Sequence, residues 1–227
     1  MFLGLKNPLS KEKIEQIEAE NKKMIDDHIL LLRTRSQTSL SKRDFESKTW
    51  DKLEVNSQEL SDCAKVVKSW SPDLGAGLFL HGDPGNGKTH LLKALIIDNY
   101  STTLDFRFVR CSDLMASFKD YQNLEFYHQE YLKPWGLIID DFGTEKGSDF
   151  EQEQLFRLLE QRKDKDKFVF MTSNLNLKQI GEKYNKRILS RIGEHMIVVE
   201  NKAPSYRKII QMRMQEKLQN QRLNLLK

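Results

Sequence analysis

The sequence predicts an α/β protein, with a central parallel sheet and helices on both of its faces. Largely apolar segments of strand length occur at residues 78–81, 136–141 and 168–174, as expected for parallel strands buried on both sides. A glycine-rich loop follows the first segment directly, and a helical pattern follows the loop. Because strands alternate with helices along the chain, we predict three layers.

Length and composition favour one medium domain with an appendage. The chain has 227 residues, 38% of them hydrophobic and 31% charged, a balance typical of soluble proteins. Its apolar runs are shorter than the ~18 residues of a membrane span, and residues 1–5 are too short for a signal-peptide core. Cys63 and Cys111 lack metal or redox spacing, which favours free thiols in a reducing compartment. We therefore expect a cytoplasmic protein without membrane contact.

Residues 10–35 predict one helix with Ser10 as its cap. Its a/d seam is weak, because Asn21 and His28 are polar. The helix either docks onto a partner protein or packs on its own domain. We favour docking, since a charge-rich helix ahead of a complete domain has little core to join.

The polar stretch 36–41 predicts a linker, so residues 1–45 form a helical docking extension and residues 46–227 the main domain. Phe45, Trp50 and Leu53 then supply apolar anchors. A helix is predicted over residues 57–69. Its inward-facing residues are predicted to be Leu60, Ala64, Val66 and Val67.

The loop after the strand at 78–81 fits the phosphate-binding pattern G-x-x-x-x-G-K-[ST]. Glycines let backbone N–H groups fold around a phosphate, and the helix starting near Lys88 adds its positive end. Lys88 provides a charge for the β- and γ-phosphates, and the Thr89 hydroxyl a ligand for Mg²⁺. The predicted nucleotide-binding residues are Gly82, Asp83, Pro84, Gly85, Asn86, Gly87, Lys88 and Thr89.

Residues 105–110 alternate as a strand does, and Ser112 with Asp113 predicts the cap of the next helix. Aromatic residues follow, which either stack on nucleic-acid bases or pack against the sheet. For any single one, packing is the more frequent role. These residues are Phe126, Tyr127, Tyr131 and Trp135.

The strand at 136–141 ends in two acids, where open α/β sheets bind their ligands. Asp140 is the predicted Mg²⁺ partner, together with Thr89. Asp141 is predicted to orient or deprotonate an attacking water. A buried pair of carboxylates repels itself, so we expect a cation beside it.

Asn174 ends the strand at 168–174 and is predicted to polarise the water or contact the γ-phosphate. Arg191 and Arg207 are candidates for offsetting charge in a phosphoryl-transfer transition state. Predicted helices at 150–162, at 177–193 and from 205 to about 226, and a strand at 196–199, complete the chain. The last helix is basic, which fits either nucleic-acid binding or a solvated surface.

Five motifs in this order and spacing resemble the DnaC/IstB-like branch of the AAA+ ATPases, which includes replicative helicase loaders of the DnaC/DnaI type. The resemblance covers about residues 45–210. The motifs are GDPGNGKTHL at 82–91, LIIDDFG at 137–143, the sensor 1 strand end at 172–174, the arginine-finger helix at 186–192 and sensor 2 at 205–207.

The resemblance implies a five-stranded sheet of order 5-1-4-3-2, a reduced C-terminal lid and ATP with Mg²⁺ as cofactors. It implies Arg191 as a finger acting on a neighbouring subunit, with Arg187 as its rival, and Arg207 as a sensor within the subunit. His90, which follows the threonine in this form of the loop, joins the nucleotide-binding residues. Some loaders carry a zinc module ahead of the ATPase domain, but residues 1–45 contain no cysteine.

The first functional hypothesis is therefore a helicase loader, an ATP-dependent homo-oligomer that binds the replicative helicase through its N-terminal helix and also binds single-stranded DNA. The second is an ATPase of the IstB kind that assists DNA transposition. A small-molecule kinase is disfavoured, because such kinases lack an Asp-Asp pair followed by a sensor asparagine. A catalytically dead adaptor is disfavoured because every expected polar group is present.

Overall fold

The computed structural model describes residues 39–99, 104–145 and 147–225, together with four isolated exposed helical positions near the N-terminus, and side chains only as far as residue 218. Those four positions are Lys13, Gln16, Glu20 and Lys22. Otherwise, the helix predicted over residues 10–35 and its seam lie outside the described residues. The docking extension stays a prediction.

Five parallel strands form one sheet in the order β2-β3-β4-β1-β5. This is the predicted order 5-1-4-3-2 read from the opposite edge, so the predicted topology is confirmed. The carboxyl ends of β1, β3 and β4 meet at the middle of one edge, where a ligand site is expected. The strands are β1 Gly77–His81, β2 Phe106–Arg110, β3 Gly136–Phe142, β4 Phe168–Ser173 and β5 Met196–Glu200.

Helices connect these strands in the described part of the chain. Side-chain caps begin five of them, at Ser41, Ser57, Ser148, Asn176 and Asn185. In the part of the chain that the structure describes, one helix follows β5, which agrees with the predicted reduced lid. The helices are α1 Lys42–Ser47, α2 Gln58–Lys68, α3 Lys88–Asn99, α4 Cys111–Phe118, α5 Leu124–Leu132, α6 Asp149–Asp164, α7 Leu177–Lys183, α8 Lys186–His195 and α9 Tyr206–Leu225.

Two apolar clusters cover the two faces of the sheet, which makes the predicted three layers. Alternation along β1 sends Leu78 and Leu80 into one cluster and Phe79 into the other. Leu40 and Phe45 are buried in the first of these clusters, and α1 spans residue 45. The packed core thus includes residues that precede the predicted boundary between extension and main domain.

Arg162 is fully buried at the end of α6 and joins the starts of two strands. Its guanidinium donates to the carbonyl oxygens of Tyr131 at 2.6 Å, Pro134 at 3.1 Å, Trp135 at 3.0 Å and Phe168 at 2.7 Å. Burial lowers its pKa to about 9. Four carbonyl acceptors compensate for removing this side chain from water.

Three local predictions are corrected. The N-cap of α4 is Arg110, since the helix begins where β2 ends, and Ser112 and Asp113 lie inside its first turn. The region 177–193 is two helices, because the Asn185 side chain accepts from the Ile188 N–H at 3.0 Å and begins a new one. Val66 is 48% exposed rather than inward.

The aromatic candidates divide into packed and exposed residues, and base stacking stays a prediction. Tyr131 is buried in the core, and Trp135 packs edge-on against Trp70 with ring centroids 6.0 Å apart. Phe126 is exposed, and its ring contacts the half-buried Tyr127.

In the described residues, no helix is both long and apolar enough to cross a lipid bilayer.

Candidate nucleotide-binding site

The phosphate loop lies between β1 and α3, where close backbone packing requires glycine. At Gly82, with φ of +143°, an added Cβ would lie 2.1 Å from the Asn201 carbonyl oxygen. At Gly85, with φ of +81°, it would lie 2.6 Å from the Ser205 Oγ. A larger residue at Gly82 would therefore displace the backbone that follows β5, and one at Gly85 would displace the side chains of Ser205 and Arg207.

Lys88 is buried at the start of α3, with its ammonium turned into the loop. Its Nζ donates to the carbonyl oxygens of Gly82 and Asp83, each at 2.8 Å, and to the Asn86 Oδ1 at 3.1 Å. Burial lowers the pKa of Lys88 to about 8, although Asp141, Asp83 and Asp140 act in the opposite direction. A partly desolvated ammonium in a glycine-rich loop is suited to receiving phosphate oxygens.

Asp140 is buried, and one of its carboxylate oxygens accepts hydrogen bonds from two hydroxyl groups. Thr89 donates to its Oδ1 at 2.9 Å and Thr172 at 2.6 Å. Burial raises the pKa of Asp140 above its usual range, and the two hydroxyl hydrogen bonds oppose that rise. Thr89 and Asp140 are therefore together, as predicted for a magnesium site.

Asp141 differs from its neighbour, because it is exposed and has a left-handed backbone with φ of +55°. Its N–H donates to the Thr172 Oγ1 at 2.9 Å. The predicted buried pair is therefore corrected to one buried and one exposed carboxylate, and repulsion within a buried pair is no argument for a cation. Thr172, predicted only as part of the sensor 1 strand end, contacts both acids, because its hydroxyl donates to Asp140 and accepts from the Asp141 N–H.

Magnesium fits this donor set only together with phosphate oxygens. Among the described residues, no group of three or more His, Cys, Asp and Glu side chains could hold a metal by itself. Mg²⁺ in nucleotide sites uses one or two protein ligands, substrate phosphates and water. Thr89 and Asp140 are the residues that would hold it.

Asn86 and Asn201 form a buried reciprocal pair beside the loop. The Asn86 Nδ2 donates to the Asn201 carbonyl at 2.7 Å, and the Asn201 Nδ2 donates to the Asn86 carbonyl at 2.9 Å. The side chain of Asn86, predicted to bind nucleotide, is thus used to fix the loop. Asn201 was missed, because a polar residue just after a short strand has no distinguishing sequence pattern.

His90 joins the loop helix to the segment ahead of α2. Its Nε2 lies 3.0 Å from the Thr49 carbonyl oxygen, and burial lowers its pKa. His90 thus fixes the preceding segment beside the loop. This contact accounts for a histidine at this position without a bond to nucleotide.

A cavity of about 550 Å³ opens beside the loop, a size suited to a small ligand. It brings together predicted site residues from four parts of the chain: the loop with Lys88 and Thr89, Asp141, Asn174 and Arg207. Residues 47–56, which the sequence analysis did not assign to the site, form part of its wall.

Arg191 is not among the residues lining this cavity. Its guanidinium forms ion pairs with Glu160 on α6 and with Glu194 on α8. Arg187 pairs with Glu153 at 2.8 Å, and the guanidiniums of Arg187 and Arg191 lie 3.7 and 5.7 Å from the Phe156 ring. The two arginines share one helix face, as predicted.

Sequence comparison matches residues 10–214 to the family described as IstB-like ATP binding protein. An ATP-binding protein in an insertion sequence of Mycobacterium tuberculosis is 31% identical over 105 residues, 45% of this chain and 42% of that protein. The chromosomal replication initiator DnaA of Aliarcobacter butzleri is 29% identical over 171 residues, 73% of this chain and 39% of that protein. The chain therefore spans about two fifths of the length of these relatives.

Solved structures share the fold at low identity. DnaI has a TM-score of 0.60 at 22% identity, covering 74% of this chain and 94% of its own. The DnaC helicase loader has a TM-score of 0.59 at 22% identity, covering 71% and 100%. AMPPCP-bound DnaA from Aquifex aeolicus has a TM-score of 0.57 at 20% identity, covering 74% and 55%. The match over residues 10–214 shows that this chain belongs to the IstB-like ATP-binding family, and the motifs and strand order show that it has the AAA+ fold.

Proposed function

We propose that this protein hydrolyses ATP to ADP and phosphate in an oligomer assembled on DNA. One observation carries the proposal: a single cavity is lined by the phosphate loop, Asp141, Asn174 and Arg207. These groups supply a phosphate cradle, a base, a water-positioning amide and a cation. Magnesium held by Thr89 and Asp140 supplies charge neutralisation when it is bound.

In this mechanism Lys88 turns from the loop carbonyls to the β- and γ-phosphates. Asp141, exposed in the cavity, orients a water and takes its proton as the water oxygen bonds to the γ-phosphorus. The bond from that phosphorus to the bridging oxygen breaks, and the electron pair leaves with ADP. Asn174 holds the water, and Arg207 offsets charge on the phosphoryl oxygens.

Two substitutions test hydrolysis at this site. We expect Lys88→Ala to abolish ATP binding, and Asp141→Asn to bind ATP while losing turnover. Calorimetry measures binding, and phosphate release measures turnover. Full turnover by Asp141→Asn would contradict the role of the base.

Loading of a replicative helicase is the biological role we favour, with the N-terminal extension as the docking segment and single-stranded DNA as the bound nucleic acid. The similarity to DnaI and DnaC over 94% and 100% of those chains supports it. Deletion of residues 1–38 is the appropriate test, since Leu40 and Phe45 belong to the core. We expect this variant to keep ATP binding and lose helicase binding in a pull-down, and undiminished helicase binding would refute docking.

Assistance of DNA transposition is the second candidate, supported by the family match and by the relative in an insertion sequence. The two roles differ in the form of DNA engaged. A loader prefers single-stranded DNA, whereas a transposition ATPase prefers duplex. Fluorescence anisotropy with both forms, in the presence of an ATP analogue, separates them.

A further inference from the structure

The backbone of Asp141 has a conformation that its neighbours must hold in place. Its φ of +55° lies in the left-handed region, and Gly143 follows with φ of +94°. The register between β3 and β4 also shifts between Ile139 and Phe142, as it does at a β-bulge. Bulges redirect side chains next to active sites, and a left-handed residue other than glycine persists only where other contacts hold it. The direction of the Asp141 side chain therefore depends on what holds this turn.

Strand β4 holds the first half of the turn, residues 141 and 142. The Thr172 Oγ1 accepts from the Asp141 N–H at 2.9 Å, and the Ser173 Oγ donates to the Phe142 carbonyl at 2.6 Å. Within the turn, the Thr144 N–H donates to the Asp141 carbonyl at 3.3 Å. The contacts of the second half come from α7 instead.

Lys183, the last residue of α7, holds this second half. Its Nζ donates to the Gly143 carbonyl at 2.6 Å and to the Thr144 carbonyl at 3.0 Å. Apolar side chains pack against the same turn, because a Cβ at Gly143 would lie 2.9 Å from Leu175 and 3.0 Å from Ile180. Two carbonyl oxygens that converge on one point repel each other, and an ammonium between them removes that repulsion.

This contact distinguishes Lys183 from the other lysine of α7. Lys178 is exposed and forms no hydrogen bond or ion pair with any of the described residues. The hydroxyl of Tyr184, which follows Lys183 in the chain, donates to the Glu145 carbonyl. The C-terminal end of α7 therefore binds three consecutive carbonyls, from residue 143 to residue 145.

We propose that Lys183 is a positioning residue for hydrolysis, which holds residues 143 and 144 so that the Asp141 carboxylate faces the attacking water. The inference rests on the proposed hydrolysis of ATP in this cavity. Asp141 lines the cavity and Lys183 is not among the lining residues, so Lys183 acts through the backbone of the turn. A displacement of about 1 Å at a reacting group can cost roughly 10²-fold in rate. ATP binding depends on the phosphate loop and should not require Lys183.

Lys183→Met tests the proposal in the full chain, because it keeps an unbranched side chain and removes the donors. We expect turnover, measured as phosphate release with DNA present, to fall about 10- to 100-fold. ATP affinity, measured by calorimetric titration, should stay at the wild-type value. Wild-type turnover would overturn the proposal. So would an equal loss of affinity, which would mean that the substitution damages the whole site.

Lys183→Arg and Lys178→Met are the matched variants. Lys183→Arg keeps a cation with several N–H donors, so its turnover should remain well above that of Lys183→Met. Lys178→Met makes the same change of residue type at an exposed position on the same helix, so its turnover should stay at the wild-type value. Equal turnover in Lys183→Arg and Lys183→Met, or an equal loss in Lys178→Met, would show that donation to the turn is not the cause.

A double variant asks whether Lys183 works through Asp141. Asp141→Asn lacks the base, and its slow residual hydrolysis is measured as a single turnover of radiolabelled ATP with protein in excess. Adding Lys183→Met should leave that residual rate nearly unchanged, since no base is left to position. A further fall by the same factor as in the single variant would show that Lys183 supports another part of the reaction, and would reject the assignment.

The proposed function and the role of Lys183 fail in different ways. Absence of ATP hydrolysis by wild-type protein, with DNA and Mg²⁺ present, would reject the proposed function. Wild-type hydrolysis that Lys183→Met retains in full would reject only the positioning role.

Discussion

Lys88 has two competing sets of partners, the loop carbonyls that hold it in this structure and the phosphates of a nucleotide. With its pKa lowered to about 8, the side chain loses its proton above that pH when nucleotide is absent. Bound phosphates favour the protonated ammonium and raise its pKa. Binding ATP above pH 8 therefore requires proton uptake.

We accordingly expect ATP affinity to be insensitive to this lysine below pH 8 and to fall by up to about tenfold per pH unit above it. Calorimetric titrations at pH 7, 8, 9 and 9.5 measure the change. Proton uptake, read from titrations in buffers of different ionisation enthalpy, should rise over the same interval. A constant affinity from pH 8 to 9.5 would contradict the shifted pKa.

Thr172 is predicted to orient both acids, because its hydroxyl donates to Asp140 and accepts from the Asp141 N–H. Thr172→Val keeps the shape and removes both bonds. By analogy with the loss of partners that orient ligands, we expect turnover to fall about 10- to 100-fold while ATP still binds.

The matched control is Thr144→Val, which makes the same change at an exposed hydroxyl bonded to the Asp141 carbonyl at 3.0 Å. It should retain nearly full turnover. Unchanged steady-state phosphate release by Thr172→Val would show that the two acids are oriented by the strands alone.

At the level of secondary-structure elements, the strands could be predicted because parallel strands buried on both sides read as apolar runs. The starts of helices α4 and α8 could not be predicted from the sequence. Ser112 and Asp113 resemble a helix cap, but β2 runs directly into α4 at Arg110. Asn185 was predicted to lie inside a helix, and its side chain acts as a cap because the backbone is extended at Tyr184 and Asn185.

At this scale the prediction concerns the stability of the fold and the role of Arg162, which joins the starts of β3 and β4 to the end of α6. Replacing it by Met removes four hydrogen bonds to buried carbonyls, so we expect a loss of about 3–5 kcal/mol in the free energy of unfolding. Urea denaturation followed by circular dichroism measures it.

Arg157→Met is the control on the same helix. Arg157 is half exposed and lies 3.6 Å from Glu125, so its loss should cost less than about 1 kcal/mol. Equal effects of the two substitutions would mean that the buried carbonyl contacts add no stability.

At the scale of the molecule, the charged half of the site could be predicted because its motifs are short and follow strands. The wall formed by residues 47–56 could not be predicted, because these residues reach the loop through tertiary contacts such as that of His90 with Thr49. Asn201 was missed for the same reason, because its partner Asn86 is 115 positions away in the chain.

Arg191 leads to a prediction about assembly, because it lies outside its own cavity and pairs with Glu160 and Glu194. If it serves a neighbouring subunit, Arg191→Ala and Asp141→Asn each lack turnover alone. Mixed together, they should regain part of it, since an intact Asp141 then faces an intact Arg191 across some interfaces. Phosphate release from the mixture with DNA present measures the recovery.

The control is a mixture in which Arg187→Ala replaces Arg191→Ala. Arg187→Ala alone should retain turnover if Arg191 is the finger. An inactive mixture of Arg191→Ala with Asp141→Asn would reject action between subunits.

The Tyr206 N–H donates to the Gly85 carbonyl at 2.9 Å, so the base of α9 is attached to the turn that surrounds the phosphates. This helix has 20 residues and a length of ~30 Å at 1.5 Å per residue. A tilt of about 10° at its attachment therefore displaces the far end by ~5 Å. If the turn around the phosphates shifts when ATP binds, we therefore expect α9 to carry that shift to its far end as a displacement of several ångströms.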